Sequence, residues 1–317
     1  IGLEIHVQLE TNSKMFSSCE YSYGKSENSL TCPTSLGLPG ALPTINERAI
    51  DFAIKFGLAV NGNINSSFSF ARKHYFYPDL PKGYQISQYE KPIVTGGSIP
   101  IWWDNKKYNI DLTRAHLEED AGKLTHNLSK NKSEVDFNRS GVPLIEIVTE
   151  PVIKSSLEAY NYVSEARKLL RYLEICDGNM EEGSFRCDAN ISVKKTGSND
   201  LGVRAEIKNI NSFKFVENAI NYEIRRQSKI LEDGKKVIQE TRLYDPIKNE
   251  TRTMRSKEEA NDYRYFPDPD LLPVAINDEL LSQIKKSLPE LPTEKKIRFI
   301  KDFGLSEYDA ENLTAQI

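Results

Sequence analysis

Hydrophobic and polar positions alternate without a fault at the head of this chain. In Ile1–Glu10, Leu3, Ile5, Val7 and Leu9 fall on one side of an extended segment, and Glu4, His6, Gln8 and Glu10 on the other. Strand side chains alternate between two faces, so this pattern predicts a strand with an apolar face on a core and a polar face toward a hollow or solvent. The pattern recurs. Arg186–Val193 sets Arg186, Asp188, Asn190 and Ser192 against Cys187, Ala189, Ile191 and Val193. Val203–Lys208 sets Arg204, Glu206 and Lys208 against Val203, Ala205 and Ile207. Leu112–Lys123 and Val142–Thr149 alternate less regularly and contribute Glu118, Glu119, Asp120 and Glu146.

Three segments carry helical spacing instead. Asn46–Val60 reads as a helix capped by Asn46, with Ala49, Phe52, Ala53, Phe56 and Ala59 in one stripe. Ser155–Glu174 opens on a capping box of Ser155 and Glu158, and Phe213–Leu231 ends near Gly234. The elements lack the regular strand–helix alternation of a doubly wound sheet. They predict an α+β fold, an antiparallel sheet with helices on its apolar side and a concave, charged face on the other. Pro289 and Pro292 mark a change of character, after which Thr293–Phe303 and Ser306–Gln316 read as short helices of a new unit that breaks off. The expected division is a sheet domain over 1–290 and the beginning of a truncated C-terminal helical domain over 291–317.

Charge narrows the function classes. The 317 residues hold 42 Lys and Arg against 46 Asp and Glu, a net charge of −4. That balance argues against non-specific coating of nucleic acid, while local patches still allow shape-specific RNA binding. No apolar run approaches a membrane span and no signal-peptide segment is present, which predicts an intracellular protein without a membrane anchor. Because the sequence opens directly on a strand, an organellar presequence removed upstream stays open. Four cysteines, Cys19, Cys32, Cys176 and Cys187, are too few and too scattered for a disulfide framework.

The candidate chemistry lies in the polar faces. Glu4, Glu10, Glu118, Glu119, Asp120, Glu146, Glu181, Glu182 and Asp188 occur on or beside the strands. Like charges on one face stay ionised only if cations or bases compensate them. Mg²⁺ takes a few carboxylates together with water and substrate phosphate. Lys73, Lys123, Arg139, Arg186, Arg204 and Lys208 are placed to grip phosphate oxygens. Such a face suits Mg²⁺-nucleotide phosphoryl transfer; acids that merely solvate a surface are an equal alternative from pattern alone. The chain has no P-loop, no dinucleotide-binding glycine fingerprint, no legible nucleophile triad and no His-x3-His pair. His6 is the best ligand candidate; His74 and His116 sit in charged runs that suit structural roles equally, and His126 reads as a loop residue. Arg72–Gln85 interleaves basic and aromatic residues, as a nucleobase-stacking, phosphate-holding loop would, or a packed proline-bounded loop.

Nine longer runs, in order, span nearly the whole chain: Ile1–Glu10, Leu36–Pro43, Arg72–Gln88, His116–Lys123, Asp136–Pro151, Met180–Ser192, Glu206–Phe213, Gln239–Arg242 and Asp262–Pro269. In these runs the chain closely resembles the GatB family, the B subunits of the aspartyl/glutamyl-tRNA(Asn/Gln) amidotransferases. The resemblance implies a cradle similar to the catalytic core of glutamine synthetase and the guanidino kinases. It implies an ATP- and Mg²⁺-dependent ligase that phosphorylates the side-chain carboxylate of misacylated Glu-tRNA(Gln) or Asp-tRNA(Asn). Ammonia from glutamine, hydrolysed on the amidase partner GatA and delivered through a channel, then displaces the phosphate, and GatC or an equivalent wraps the pair. The tRNA 3′ end is expected in the cradle and the tRNA body on the helical unit and a tail domain.

Carried over by position, the resemblance implies a metal site of Glu4, His6 and Glu119, with Glu118, Glu182 and Asp188 as further ligands or supporting groups. From the strand faces, Arg186, Asn190, Glu206 and Lys208 are expected to line the nucleotide or acyl-phosphate pocket; the expected catalytic residues are Glu119, Glu182, Arg186 and Lys208, and the expected nucleotide contacts Lys73, Asn190, Glu206 and Lys208. Many relatives carry four zinc-binding cysteines around the stretch that holds Cys19 and Cys32; here the partner positions are Ser17 and Ser35. Two thiolates cannot close a structural zinc shell, so no structural zinc is expected. Two other readings are weighed against the enzyme: a tRNA-docking scaffold without its own chemistry, and a ligase acting on free amino acids. The expected location is the bacterial cytoplasm, with mitochondrion or plastid as the alternative.

Overall fold

The computed structural model describes residues 1–103, 106–127, 131–256 and 262–315. The alternating segments become neighbours in one ten-stranded sheet. From one edge the order is Glu250–Ser256, Glu240–Asp245, Ala205–Ile210, Phe185–Ile191, Gly2–Gln8, Pro143–Thr149, Lys106–Glu119, Val94–Thr95 and Asn63–Ile64, with Ser98–Trp103 hairpinned onto Lys106–Glu119. The opening strand lies in the middle. Every pairing in this sheet is antiparallel except that of Ala205–Ile210 with Glu240–Asp245, which is parallel; the long Phe213–Glu232 helix makes the crossover that a parallel pair needs. The fold is therefore mixed α+β with a large, mostly antiparallel sheet.

Register determines which side chains share a face. Ile5 is paired with Ile147 and Cys187, Val7 with Ile145 and Phe185, Ile147 with Ala115 and Ile145 with Leu117. All of these are buried, as are Leu3, Leu9, Ala189, Ile191, Ala205 and Ile207. They form one core with the stripes of three helices: Ala49, Phe52, Ala53 and Phe56 of Glu47–Ala59; Ala159, Tyr162, Val163 and Ala166 of Ser156–Tyr172; Val216, Ala219 and Ile220 of Phe213–Glu232. Burying a side chain of this size contributes about 1.5–3 kcal/mol, and so fixes the register, because a one-residue slip would exchange the two faces.

The helix caps agree with the sequence. Asn46 Oδ1 accepts from Arg48 N and Ser155 Oγ from Glu158 N, while Glu158 Oε2 accepts from Lys154 N. A helix over Asp278–Lys286 escaped the sequence reading, and Leu112–Lys123 is divided: Lys123–Asn127 pairs with Lys132–Asp136 in a separate hairpin. The last described helices are Pro292–Phe303 and Glu307–Thr314; Gln316 lies outside the described residues. Both dock on Ser156–Tyr172. Lys168 and Lys296 each hold one oxygen of Glu311 at 2.7 Å, and Tyr172 Oη donates to Thr314 O. Among the described residues no helix is long and apolar enough to cross a membrane.

Candidate functional site

The face opposite the helices assembles the polar positions into rows. One row reads Arg186, His6, Glu146, His116; the next reads Asp188, Glu4, Val148, Arg114; Asn190 is paired with Glu206, and Leu144 lies between Gln8 and Glu118. Period two across five strands thus gathers groups separated by up to two hundred residues of sequence.

Two acidic clusters result. In the first, ligand atoms of His6, Glu118 and Glu146 lie within 4.8 Å of one another. His6 Nε2 is 3.3 Å and His116 Nε2 3.5 Å from Glu146 Oε2, and Ser87 Oγ donates to Glu118 Oε2 at 3.2 Å. In the second, ligand atoms of Glu4, Asp188 and Glu206 come within the same 4.8 Å. Lys208 Nζ holds Asp188 Oδ2 at 2.7 Å and Glu206 Oε1 at 3.0 Å, while Asn190 Nδ2 donates to Glu4 Oε1 at 2.8 Å.

The electrostatics of the clusters differ. Burial disfavours charge on His6, but the Glu146 carboxylate outweighs it and pushes the imidazole up to about 9. Burial also opposes charge on Glu118 and Glu146, yet the His116 imidazole and Lys73 beside both hold them below the usual carboxylate range. Glu4 goes the other way: burial, then Glu146 and Glu206, push its carboxyl up. One set offers two carboxylates and an imidazole and the other three carboxylates, which is the donor chemistry of a hard divalent cation, and bound cations would relieve the repulsion that adds to burial in raising Glu4.

The expected site residues divide. Glu4, His6, Glu118 and Asp188 reach the clusters, joined by Glu206, Lys208 and Asn190. Glu119 does not. It has the strand parity of Leu117, and its carboxylate takes Lys82 Nζ and Ile86 N on the other side of the strand, so the trio of Glu4, His6 and Glu119 is not assembled. Nor do Glu4 and His6 share one set; they belong to neighbouring clusters. Glu182 sits exposed in a turn, its amide donating to Asn179 Oδ1, apart from both clusters. Arg186 is held bidentately by Asp120, at 2.8 and 3.1 Å, with Gln8 Nε2 on the same carboxylate. Burial opposes charge on Asp120, but Arg186 and Arg139 hold it well below the usual carboxylate range.

Lys73 lies over the Tyr263 ring at 4.9 Å, and Glu118 and Glu146 overcome its burial to raise it. Tyr265, two residues on from Tyr263, stacks on Tyr89 at 4.2 Å between centroids. Sequence reasoning counted Glu146 among the acids of the polar faces but left it out of the metal set, and it read His116 as equally structural. Strict alternation from the apolar residues Leu117, Ile145 and Ile147 would have placed both.

Cys32 Sγ lies 3.3 Å from Ser17 Oγ and 3.4 Å from Ser35 Oγ, so the serines occupy the positions beside the thiol. Burial opposes thiolate formation at Cys32, but the Ser17 and Ser35 hydroxyls lower it to about 7.

The GatB/GatE catalytic domain family matches residues 1–282. Over 316 residues the chain is 60% identical to the aspartyl/glutamyl-tRNA(Asn/Gln) amidotransferase B subunit of Vesicomyosocius okutanii, covering 100% of this chain and 66% of that protein. The same protein of Thioalkalivibrio sulfidiphilus is 60% identical and that of Alkalilimnicola ehrlichii 58%, each match covering 99% of this chain and 66% of the relative. The chain thus spans just under two thirds of the length of these relatives.

Proposed function

Since the chain belongs to the GatB/GatE catalytic-domain family, we propose that it is the synthetase portion of a tRNA-dependent amidotransferase, with the polar face of its sheet as the active site. The reaction is the ATP-dependent activation of the side-chain carboxylate of Glu-tRNA(Gln) or Asp-tRNA(Asn), followed by amidation. A carboxylate resists attack by ammonia, and phosphorylation gives it a leaving group. Mg²⁺-ATP supplies that phosphoryl group and the charge neutralisation that lets two anions meet.

The observation that carries this reading is the pair of three-ligand acidic clusters side by side on one partly buried face. His6, Glu118 and Glu146 would hold one cation and Glu4, Asp188 and Glu206 a second, as sites that clamp a transferring phosphoryl group require. Lys73 and Lys208, both raised and therefore cationic, flank the clusters and would meet phosphate oxygens. Asn190 fixes Glu4, and the Asp120–Arg186 fork stiffens the end of the His6 row. These features support the architecture of a glutamine synthetase-like cradle, with residues from about 291 onward opening a helical domain that would carry the tRNA body.

The partners in this reading are a glutamine-hydrolysing amidase of the GatA kind, GatC or an equivalent, and the misacylated tRNA; the bacterial relatives favour a bacterial cytoplasmic setting. The test is tRNA-dependent ATP hydrolysis by the full-length protein assembled with these partners. Hydrolysis stimulated by Glu-tRNA(Gln) or Asp-tRNA(Asn) and lost in Glu146→Gln is expected. A wild-type assembly that binds misacylated tRNA without hydrolysing ATP would make the chain a docking scaffold.

A further inference from the structure

Around the inner half of the Lys106–Glu119 strand, three buried polar atoms have no hydrogen-bond partner among the described residues: Arg114 Nε, His116 Nδ1 and Gln88 Nε2. His116 and Gln88 are only 3% and 2% exposed. Buried polar atoms are costly without partners, so two on this strand and one on the Gln88 side chain bonded to it call for partners from outside the chain. Gln88 is fixed by its carbonyl oxygen, which accepts from Ile93 N at 3.1 Å and Leu117 N at 2.9 Å, leaving the amide nitrogen as the donor without an acceptor.

Arg114 stands in the row of the second acidic cluster. It is in register with Val148, Val148 with Glu4, and Glu4 with Asp188. At about 4.8 Å between strands, its Cα lies about 10 Å across the face from that of Glu4, and about 7 Å along its own strand from that of His116. A guanidinium reaches across that interval. The other cations of these rows have carboxylate partners: Arg186 has Asp120, and Lys208 has Asp188 and Glu206. Arg114 has no ion pair or hydrogen bond from its side chain among the described residues.

We propose that Arg114, with the Gln88 amide, binds a phosphate group of the nucleoside triphosphate beside the two acidic clusters. The proposal rests on the nucleotide-dependent function above and adds the residues that select the polyphosphate. A face of clustered carboxylates repels a triphosphate. Cations at the clusters neutralise part of that field, and a half-buried guanidinium without a carboxylate supplies a fixed fork of donors for one phosphate beyond them. Arginine suits this task better than lysine, because its donors are planar and pre-oriented.

The experiment measures binding of Mg²⁺-ATP and of adenosine to the full-length protein in its assembled complex, together with KM for ATP and for aminoacyl-tRNA. Arg114→Ala should weaken ATP binding by about tenfold to a hundredfold, the range of a lost charge-assisted hydrogen bond, with adenosine affinity unchanged. Arg114→Lys should recover part of the loss. Gln88→Glu keeps the oxygen that accepts from the Ile93 and Leu117 amides and replaces the amide donor with a charge that repels phosphate, so it should weaken ATP binding with adenosine affinity unchanged. Equal loss of adenosine and ATP affinity, or a rise in KM for aminoacyl-tRNA in place of ATP, overturns the assignment. A wild-type complex that fails to bind Mg²⁺-ATP removes the functional reading itself, and is distinguishable because it involves no variant.

Discussion

Glu118 and Glu119 are adjacent in sequence and should fail in opposite ways when each is made neutral. Glu118 shares the face of His6 and Glu146, whereas Glu119 points through the strand to Lys82 and Ile86 N. Glu119→Gln preserves shape but leaves the Lys82 ammonium buried against a neutral amide. The two side chains are 3% and 6% exposed, so solvent does little to screen the loss. Breaking a buried pair by removing one partner costs about 3–5 kcal/mol. At about 2 °C per kcal/mol for a large domain, the melting temperature should fall by roughly 6–10 °C. Magnesium affinity should hold.

Glu118→Gln removes a charge from the first cluster. The amide still accepts from Ser87, and Glu146 is relieved of a like charge, so the melting temperature should move less than in Glu119→Gln. Magnesium affinity should fall at least about tenfold, the loss that follows even when a group supporting a ligand is removed. Calorimetric titration of the assembled complex with Mg²⁺ gives the affinity, and differential scanning calorimetry gives the melting temperature. Equal loss of magnesium affinity in both variants would refute the assignment of faces, as would a Glu119→Gln protein that melts with the wild type.

Three further outcomes are expected. His6 is raised to about 9 by Glu146, so at neutral pH a cation entering the first cluster must displace its proton; magnesium affinity should rise with pH up to about 9 and level off above it. Calorimetry in buffers of different ionisation enthalpy reads the released proton directly, and heats independent of buffer would contradict this. Asp120 is depressed below its ordinary 3.8 by Arg186 and Arg139, despite burial. Its contribution is therefore complete above that value and fades as pH falls toward the folded-state pKa, so the stability gap between wild type and Asp120→Asn should shrink on acidification below about pH 4; a gap constant from pH 6 to pH 3 would exclude the linkage. Finally, the purified protein should carry no stoichiometric zinc, because serines stand beside Cys32; metal analysis showing one zinc per chain, lost in Cys19→Ser and Cys32→Ser, would show that the shell closes after all.

Period two made the central strands legible. Leu3, Ile5 and Val7 on one side and Glu4 and His6 on the other follow from the sequence alone, because a half-buried strand has only two faces. The same rule applied one strand further would have separated Glu118 from Glu119. That segment obscures it: the pair of adjacent acids offers no apolar contrast, and both are buried, one by a cluster of opposite and like charges, the other by Lys82. The resemblance to relatives carried Glu118 and Glu119 alike into the expected metal set, whereas the geometry brings Glu118 together with His6 and Glu146 and turns Glu119 to Lys82. Strand order was not legible, because pairing partners are chosen by core shape and by crossovers that leave no local signature. It alone divides the acids into two clusters instead of one, since Glu4 meets Asp188 while His6 meets Glu146.

Strand order also accounts for which bases remain available to a ligand. Arg186 looked free in the sequence, since Asp120, which binds it, lies 66 residues away in the chain; Lys208 is shared between Asp188, 20 residues away, and Glu206 on its own strand. Arg114 drew no attention, as a lone base in an irregular strand. In the sheet its cross-strand neighbour is Val148 and not an acid, and Val148 separates it from Glu4. An apolar residue in that row keeps the guanidinium from collapsing onto the carboxylates, which preserves a cation and an acidic cluster within reach of the same bound anion. Val148→Asp would let the pair close, and on this argument should lower affinity for Mg²⁺-ATP while leaving both acidic clusters intact.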